Sequence, residues 1–217
     1  MTTVRDLFAR AADPAQPRLT WYDDATGERT ELSTATLANW TNKTANLLVD
    51  GLGLGPGSTA VVALPPHWQT AAVLLGCAAA GVRVVDTGTA DVGFATLERL
   101  AEIAGADERL AVSLHPFALP MRDLPGGVGD WALEARQHGD FFSAYQPMEL
   151  EPREAAAGRV LIDTDRHPEP SVWLWAPLAA GSSIVACSHT DVSTLARKAT
   201  SERVTIRMDA ESDRMSE

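Results

Sequence analysis

Four side chains with metal-ligand chemistry alternate along one short segment of the chain. Asp163, Asp165, His167 and Glu169 stand at every second position. In a β-strand such residues share a face, so two carboxylates and an imidazole could meet one metal ion. Two prolines interrupt the same run, and polar residues where a strand ends are commonly solvated. We favour a solvated strand end without a metal. The alternative is a metal site with Asp163, Asp165 and His167 as candidate ligands.

The next stretch, residues 167–189, reads HPEPSVWLWAPLAAGSSIVACSH and is dense in reactive residue types. Its GSSIV segment contains the first half of a Gly-x-Ser-x-Gly nucleophile elbow, but Val185 occupies the position of the second glycine. The strained turn of an elbow requires that glycine. We therefore interpret the serines as the polar start of a buried strand.

The remaining candidates have ordinary structural explanations. His67, His115 and His138 each stand beside a proline or glycine, which favours loop or capping roles. The glycine-rich segment 51–57, GLGLGPG, follows a predicted helix and precedes a strand. A phosphate-binding loop has the opposite order, because the helix N-terminus holds the anion. The sequence thus predicts no catalytic residue, no cofactor-binding residue and no cofactor.

The elements that carry these residues alternate between strands and helices. The segments STAVVALPP, HWQTAAVLLGCAAAG and VRVVD follow one another as strand, helix and strand. This order predicts a right-handed crossover between parallel strands. We expect an α/β fold with one mainly parallel sheet flanked by helices, in a single domain over 1–217. The predicted strands lie near 59–64, 82–86, 109–114, 158–163 and 183–187; the helices near 34–50, 67–80 and 94–104; a helix within 1–12; and a frayed acidic tail at 206–217.

Composition narrows the classes of partner. The chain has 217 residues, 45% of them hydrophobic, and a formal net charge of −11. Such a charge repels phosphate backbones, so we expect no nucleic-acid partner. No apolar run is long enough to span a bilayer, and the N-terminal residues lack the apolar core of a signal peptide, so we expect a cytoplasmic protein without a membrane partner. Cys77 and Cys187 lie in apolar runs without CxxC spacing, which predicts buried, unpaired thiols.

Two regions resemble the N-terminal part of the acyl-activating, adenylate-forming enzymes, which include the acyl-CoA synthetases. Within residues 18–86 the similar segments are ELSTATLANW, GLGLGPGSTAVVALPP and AAGVRVVD. Closer to the C-terminus they are GRVLIDTD, WAPLAAGSSIVAC and TLARKATSERVT. The resemblance implies that 167–189 is scaffold inside a sheet. The chain also resembles a small group of truncated actinobacterial proteins of this kind.

The departures from the family concern its catalytic parts. Its phosphate loop, roughly T-S-G-S-T-G-x-P-K-G, has no counterpart, because LEPREAAAGRV connects Leu150 to Val160. Its Y-G-x-T-E motif and C-terminal catalytic lysine would lie beyond the last residue, and Lys198 matches neither. The resemblance therefore implies a pseudoenzyme that binds a small apolar or acyl-like ligand or a protein partner.

Two alternatives to the pseudoenzyme stay open. One is an acyl-CoA ligase fragment that another chain completes in trans. The other is an unrelated metal-dependent enzyme that uses Asp163, Asp165 and His167. A truncated shell leaves apolar surface to be covered. The loops of 115–158 could cover it with Trp131, Phe141, Phe142 and Tyr145, or two chains could associate, and of the two we expect a homodimer.

Overall fold

The computed structural model describes residues 3–9, 13–86, 88–143, 148–150 and 156–208. They belong to two compact units, the first formed mainly by 6–35 and 151–217 and the second by 36–150. Each unit contains one five-stranded sheet. The predicted α/β class with mostly parallel strands and flanking helices is confirmed, whereas the prediction of one sheet is wrong. Apolar patterns identify a buried strand but not the strand with which it pairs.

The elements are as follows in chain order. The strands are β1 (Pro17–Asp23), β2 (Glu28–Ser33), β3 (Thr59–Ala63), β4 (Arg83–Val85), β5 (Ala90–Ala95), β6 (Ala106–Ala111), β7 (Gly129–Asp130), β8 (Arg159–Asp163), β9 (Ser183–Ser188) and β10 (Ile206–Met208). The α-helices are α1 (Val4–Ala9), α2 (Thr34–Asn46), α3 (Trp68–Ala80), α4 (Trp131–Ala135), α5 (Ala176–Ala179) and α6 (Val192–Ser201). Leu47–Gly51 and Ser171–Trp175 are π-helical, and Leu97–Ile103 is a 3₁₀ helix.

The first sheet has the strand order β10-β8-β9-β1-β2. All neighbours are parallel except β1 and β2, which form an antiparallel hairpin. Leu161, Val185 and Cys187 form a buried cluster with Leu195 of α6. Because β1, β8 and β9 run parallel, their carboxyl ends meet at one edge. That edge carries the polar residues that follow each strand.

The second sheet has the order β4-β3-β5-β6-β7, and every pair in it is parallel. Strands β3 and β4 are neighbours, which confirms the predicted crossover. The prediction of a helix near 94–104 is wrong at its start. Residues 90–95 instead form the buried strand β5, between β3 and β6. A Cβ at Gly93 would lie 2.6 Å from the Ile103 Cβ, so glycine lets the short 3₁₀ helix pack directly on this strand.

Smaller predictions also have clear outcomes. The α-helix predicted over 34–50 ends at Asn46 and continues as one π-helical turn to Gly51. Residues 206–208, predicted to lie in a frayed tail, pair with β8 as strand β10, and the rest of that tail is outside the described residues.

Cys77 and Cys187 are buried and unpaired, as predicted. Desolvation raises the pKa of both thiols to about 12. No helix within the described ranges has the length and apolarity needed to cross a membrane.

Candidate functional site

The predicted metal ligands do not share one strand face. Strand β8 ends at Asp163, and the chain then turns, with the Asp163 carbonyl accepting the His167 N–H at 3.0 Å. The Asp163 carboxylate accepts the Asp165 N–H at 3.1 Å and pairs with Arg166 at 3.2 Å. The strict alternation expected of a strand is therefore lost after Asp163. Within the described part of the chain, no group of three or more His, Cys, Asp or Glu side chains is placed to hold a metal ion.

The turn instead links the carboxyl ends of three parallel strands. Asp165, after β8, accepts hydrogen bonds from the Ser188 hydroxyl at 2.7 Å and from the His189 backbone N–H at 2.6 Å. His189, after β9, places Nδ1 2.9 Å from the Asp23 carboxylate at the end of β1. The His189 backbone has φ 53°, a region that non-glycine residues seldom occupy. We call Asp23, Asp163, Asp165, Ser188 and His189 the first carboxyl edge.

Ser188, His189 and Asp23 contain the residue types of a nucleophilic triad, but their geometry is different. The Ser188 hydroxyl and the Asp23 carboxylate both approach Nδ1 of His189, at 3.2 and 2.9 Å. A triad base needs one ring nitrogen for the serine and the other for the acid. The Ser188 hydroxyl also donates to Asp165, so its proton is directed away from the imidazole. The arrangement therefore fixes strand ends and does not activate a nucleophile.

Electrostatics at this edge favour the charged form of Asp23. Desolvation alone would raise the pKa of Asp23, but hydrogen bonds from the Ala25 N–H and from His189 hold that pKa below its ordinary value. Part of this site can be recognised from the sequence, since polar residues directly follow the apolar runs of β8 and β9. The role of Asp23 cannot, because its contact with His189 depends on the pairing of β1 with β9.

A network of ion pairs occupies the same unit. The Glu202 carboxylate accepts hydrogen bonds from Tyr22 at 2.5 Å, from Arg29 at 2.9 Å, and from Arg159. Its side chain is only 9% exposed. Desolvation alone would raise the pKa of Glu202, yet the hydrogen bonds from Tyr22, Arg159 and Arg29 lower it to about 2. The network connects β1, β2 and β8 to the residue that caps α6.

Lys198 also has a structural position. Its side chain is 9% exposed, and Nζ lies 2.6 Å from the Asp24 carboxylate. The same nitrogen lies 4.6 Å from the centroid of the Tyr22 ring, which is cation–π distance. Lys198 therefore joins α6 to β1 within the first unit. Its charge is already compensated by groups of the chain itself.

A second polar cluster lies at the carboxyl edge of the second sheet. His67 caps α3 directly after β3, its Nδ1 accepting the Gln69 N–H at 3.1 Å, which confirms the predicted capping role. Gln69 is fully buried, and its Nε2 donates to the His115 carbonyl, beyond β6, at 2.7 Å. Neither Gln69 Oε1 nor Trp68 Nε1 has a hydrogen-bond partner among the residues that the structure describes. We call His67, Trp68, Gln69 and His115 the second carboxyl edge.

Aromatic rings surround this second edge. The Trp68 ring lies 5.6 Å from Trp40 and 5.7 Å from His67, measured between ring centroids. The Arg136 guanidinium lies over the Trp40 ring, 5.5 Å from its centroid. These separations are typical of packed aromatic pairs and cation–π contacts.

The loop after β6 has an unusual backbone. Leu114, Ala118 and Asp123 have positive φ angles of 53°, 49° and 57°. Such conformations cost free energy in residues with a Cβ, and they concentrate in functional loops. The same loop exposes 76% of Phe117 and 50% of Leu119. Strain and exposed apolar side chains thus occur together next to the second carboxyl edge.

Solved structures with a similar fold include acyl-CoA synthetases and a CoA ligase. An acyl-CoA synthetase from Brucella canis has a TM-score of 0.71 at 13% identity and matches 95% of this chain and 47% of its own. Acetoacetyl-CoA synthetase from Streptomyces lividans has a TM-score of 0.67 at 16% identity, over 94% of this chain and 42% of its own. The anthranilate CoA ligase AuaEII, solved with anthranoyl-AMP, has a TM-score of 0.67 at 11% identity, over 96% and 49%. The fold is thus shared, and this chain spans about half the length of these enzymes.

Sequence comparison gives a nearer relative. No protein-family model matches the chain. A Mycobacterium tuberculosis (strain ATCC 25618 / H37Rv) protein with the name TIGR03089 family protein is 43% identical over 223 residues, which cover 89% of this chain and 92% of that protein. Identity at this level over nearly the whole of both chains establishes common membership. The chain therefore belongs to the TIGR03089 family, and its fold is that of the N-terminal part of acyl-CoA synthetases.

Proposed function

We propose that this protein is a small-molecule binding module with an acyl-CoA synthetase-like fold that does not itself form acyl adenylates. The observation that carries the proposal is the chemistry of the first carboxyl edge. Its side chains bind one another, and Asp23, Asp163 and Asp165 contribute carboxylates. A nucleoside triphosphate would meet negative charge there.

The cations of the chain add support. Adenylation needs charge neutralisation at the transferring phosphate from metal ions, lysine, arginine or oriented backbone amides. Lys43 pairs with Asp140 at 2.8 Å, and Lys198 pairs with Asp24 at 2.6 Å. These are the two lysines of the sequence, which also lacks a loop resembling the family's T-S-G-S-T-G-x-P-K-G segment. Both lysines are therefore already paired with carboxylates of the chain, and the sequence offers no loop of that kind for the phosphates.

ATP–pyrophosphate exchange tests the proposal. The purified chain is incubated with Mg·ATP, labelled pyrophosphate and a panel of acetate, octanoate, benzoate and anthranilate. We expect exchange no faster than in protein-free controls, while an active acyl-CoA synthetase assayed in parallel shows rapid exchange. Exchange that depends on one carboxylate and co-purifies with the chain would contradict the proposal.

A further inference from the structure

We propose that β2 is a self-complementary interface through which two copies of this chain pair edge to edge. The two β2 strands run antiparallel around a two-fold axis at Thr30, so that Arg29 of one protomer lies opposite the partner's Glu31. The first sheets of the two protomers, with five strands each, then form one continuous sheet.

Strand β2 forms one edge of the first sheet, beside β1. Among the residues that the structure describes, no second strand pairs with its outer side. An edge strand presents a row of backbone N–H and C=O groups that can pair with another chain. The side chains of Arg29 and Glu31 are 45% and 33% exposed, so this part of the edge is accessible.

The backbone hydrogen bonds identify the residues of β2 that face outward. The N–H of Asp24, directly after β1, donates to the last carbonyl of β9 at 3.1 Å. Backbone groups alternate in direction along a strand, so Trp21 directs its N–H and C=O to the other side of β1, toward Thr30 of β2. Thr30 therefore bonds to β1. The N–H and C=O groups of its neighbours Arg29 and Glu31 consequently point away from β1.

The charges on these side chains select one register. Outward-directed residues must lie opposite one another, so the two-fold axis can pass through Arg29, Thr30 or Glu31. An axis at Arg29 or at Glu31 places like charges directly opposite, which is unfavourable. An axis at Thr30 places Arg29 opposite the partner's Glu31 twice, and each of these pairs exchanges two backbone hydrogen bonds. Charges that would keep other edges apart therefore favour this pairing.

The two charged residues already lie side by side on one face of the strand. Within one chain, Arg29 Nη2 lies 2.7 Å from the Glu31 carboxylate. Residues directly opposite in paired antiparallel strands also share a face. The dimer therefore contains four charges of alternating sign, in contact around the axis. The net charge of −11 opposes association over longer distances, where salt screens it more strongly than charges in contact.

The Arg29 side chain is held in place before association. Its Nε–H donates to the Tyr22 hydroxyl at 2.9 Å, and its Nη2 donates to the Glu202 carboxylate at 2.9 Å. A side chain that is already ordered loses less conformational entropy on binding. The interface is thus preorganised by contacts within each protomer.

Disulfide cross-linking of the full chain tests the register. The two Thr30 residues form a non-hydrogen-bonded pair across the axis, and Cα atoms in such pairs lie about 4.5 Å apart, which a disulfide can span. Thr30→Cys, oxidised with copper–phenanthroline, should give a covalent dimer on non-reducing gels. The native Cys77 and Cys187 are buried, so we expect no cross-link in the unaltered chain.

Glu28→Cys is the matched control for cross-linking. In the proposed register Glu28 lies opposite the partner's Leu32, and the two Glu28 residues are about 13 Å apart. This variant should therefore stay monomeric on the same gels. Equal cross-linking of Thr30→Cys and Glu28→Cys, or none of Thr30→Cys up to its solubility limit, would overturn the interface.

Charge reversal tests the same pairing without a covalent bond. Glu31→Arg places two arginines opposite each other at both pairs, so dimerisation measured by light scattering should weaken about tenfold. Glu28→Arg changes the net charge equally but lies opposite the partner's Leu32, and it should leave dimerisation unchanged. Equal dimerisation of the two variants would refute the proposed charge pairing.

A mixture of two variants restores the complementary charges. Arg29→Glu alone should also fail to dimerise, because two glutamates then lie opposite each other. Combined with Glu31→Arg, it forms a pair in which every opposite charge is again unlike, so the mixture should associate. A mixture that stays monomeric while both variants are folded would contradict the register. The comparison of Glu31→Arg with Glu28→Arg decides the matter if Arg29→Glu does not fold.

Discussion

At the residue scale, Glu202 is the most heavily hydrogen-bonded carboxylate described. Tyr22 of β1, Arg29 of β2 and Arg159 of β8 all donate to it. A largely buried carboxylate of this kind is stabilising only while its partners are present, because an unpaired buried charge is costly. The network should therefore respond strongly to loss of the Glu202 charge.

Glu202→Gln should lower the free energy of unfolding at neutral pH by about 2 kcal/mol, because two guanidinium groups lose their common counter-charge. Urea unfolding followed by circular dichroism measures the change. Glu169→Gln is the control, since Glu169 is an exposed residue of the same unit, and it should be close to neutral. Equal stability of the two variants would show that the network contributes nothing.

The same carboxylate should govern acid stability. The pKa of Glu202 is about 2 in the folded protein, below the ordinary value of 4.5. Its stabilising contribution is therefore complete above the unfolded-state pKa and is lost as pH falls from there through the folded-state pKa. Between these two values the unaltered protein should lose stability more steeply than Glu202→Gln. Parallel pH profiles for the two proteins would contradict the depressed pKa.

Single residues also show the limits of prediction from sequence. Asp163 and Asp165 could be found because they follow an apolar run, and the capping role of His67 follows from its position before a helix. The contact between Asp23 and His189 joins residues 166 positions apart. No local pattern contains that contact, because it arises only when β1 pairs with β9.

At the element scale, α2 and α3 approach each other through a glycine. A Cβ at Gly76 would lie 2.5 Å from both Cβ and Cγ2 of Thr44, and 3.3 Å from the Thr41 carbonyl oxygen. The Thr44 hydroxyl is itself held, since it donates to the Trp40 carbonyl and accepts from Trp131 Nε1. Thr44 therefore cannot move aside without breaking other contacts.

Gly76→Ala should destabilise the protein although alanine favours helices. The propensity gain is about 1 kcal/mol, while overpacking against a fixed side chain costs roughly 1–3 kcal/mol. Thermal unfolding should show a lower midpoint. Gly126→Ala is the matched control, because a Cβ there meets no atom within 4 Å, and its midpoint should stay close to that of the unaltered protein. A higher midpoint for Gly76→Ala would contradict the close helix contact.

Elements differed in how well the sequence predicted them. Strand β3, helix α3 and strand β4 were predicted in kind and pairing, because the apolar runs are long and their connection is short. Strand β5 was missed because its sequence, ADVGFA, contains a glycine and an aspartate, and its identity depends on pairing with both β3 and β6. The division into two sheets could not be predicted either, since β9 pairs with β1 of a hairpin far away in sequence.

At the scale of the whole molecule, the exposed apolar side chains bear on assembly. Trp131 is fully buried, whereas Phe141 is 74% exposed, so the segment after β7 covers less apolar surface than its composition suggested. Tyr145, predicted to contribute to this cover, lies outside the described residues. The expected homodimer stays a prediction that these exposures make worth testing.

Light scattering at micromolar concentration tests self-association. We expect a mass twice that of one chain, and a larger dimer fraction at high salt because screening weakens the repulsion between chains of net charge −11. Phe141→Ser should shift the equilibrium toward the monomer if its exposed ring is part of the interface. A monomer mass at every concentration and salt level would refute the dimer.

The central claim is that this protein has an acyl-CoA synthetase-like fold but does not form acyl adenylates. Equilibrium dialysis of the purified chain against Mg·ATP tests that claim most directly. At the first carboxyl edge Asp165 is bound to Ser188 and Asp23 to His189, and the two lysines are already paired with Asp140 and Asp24. We therefore predict no saturable ATP binding up to millimolar concentrations. Saturable binding in the micromolar range would contradict the central claim.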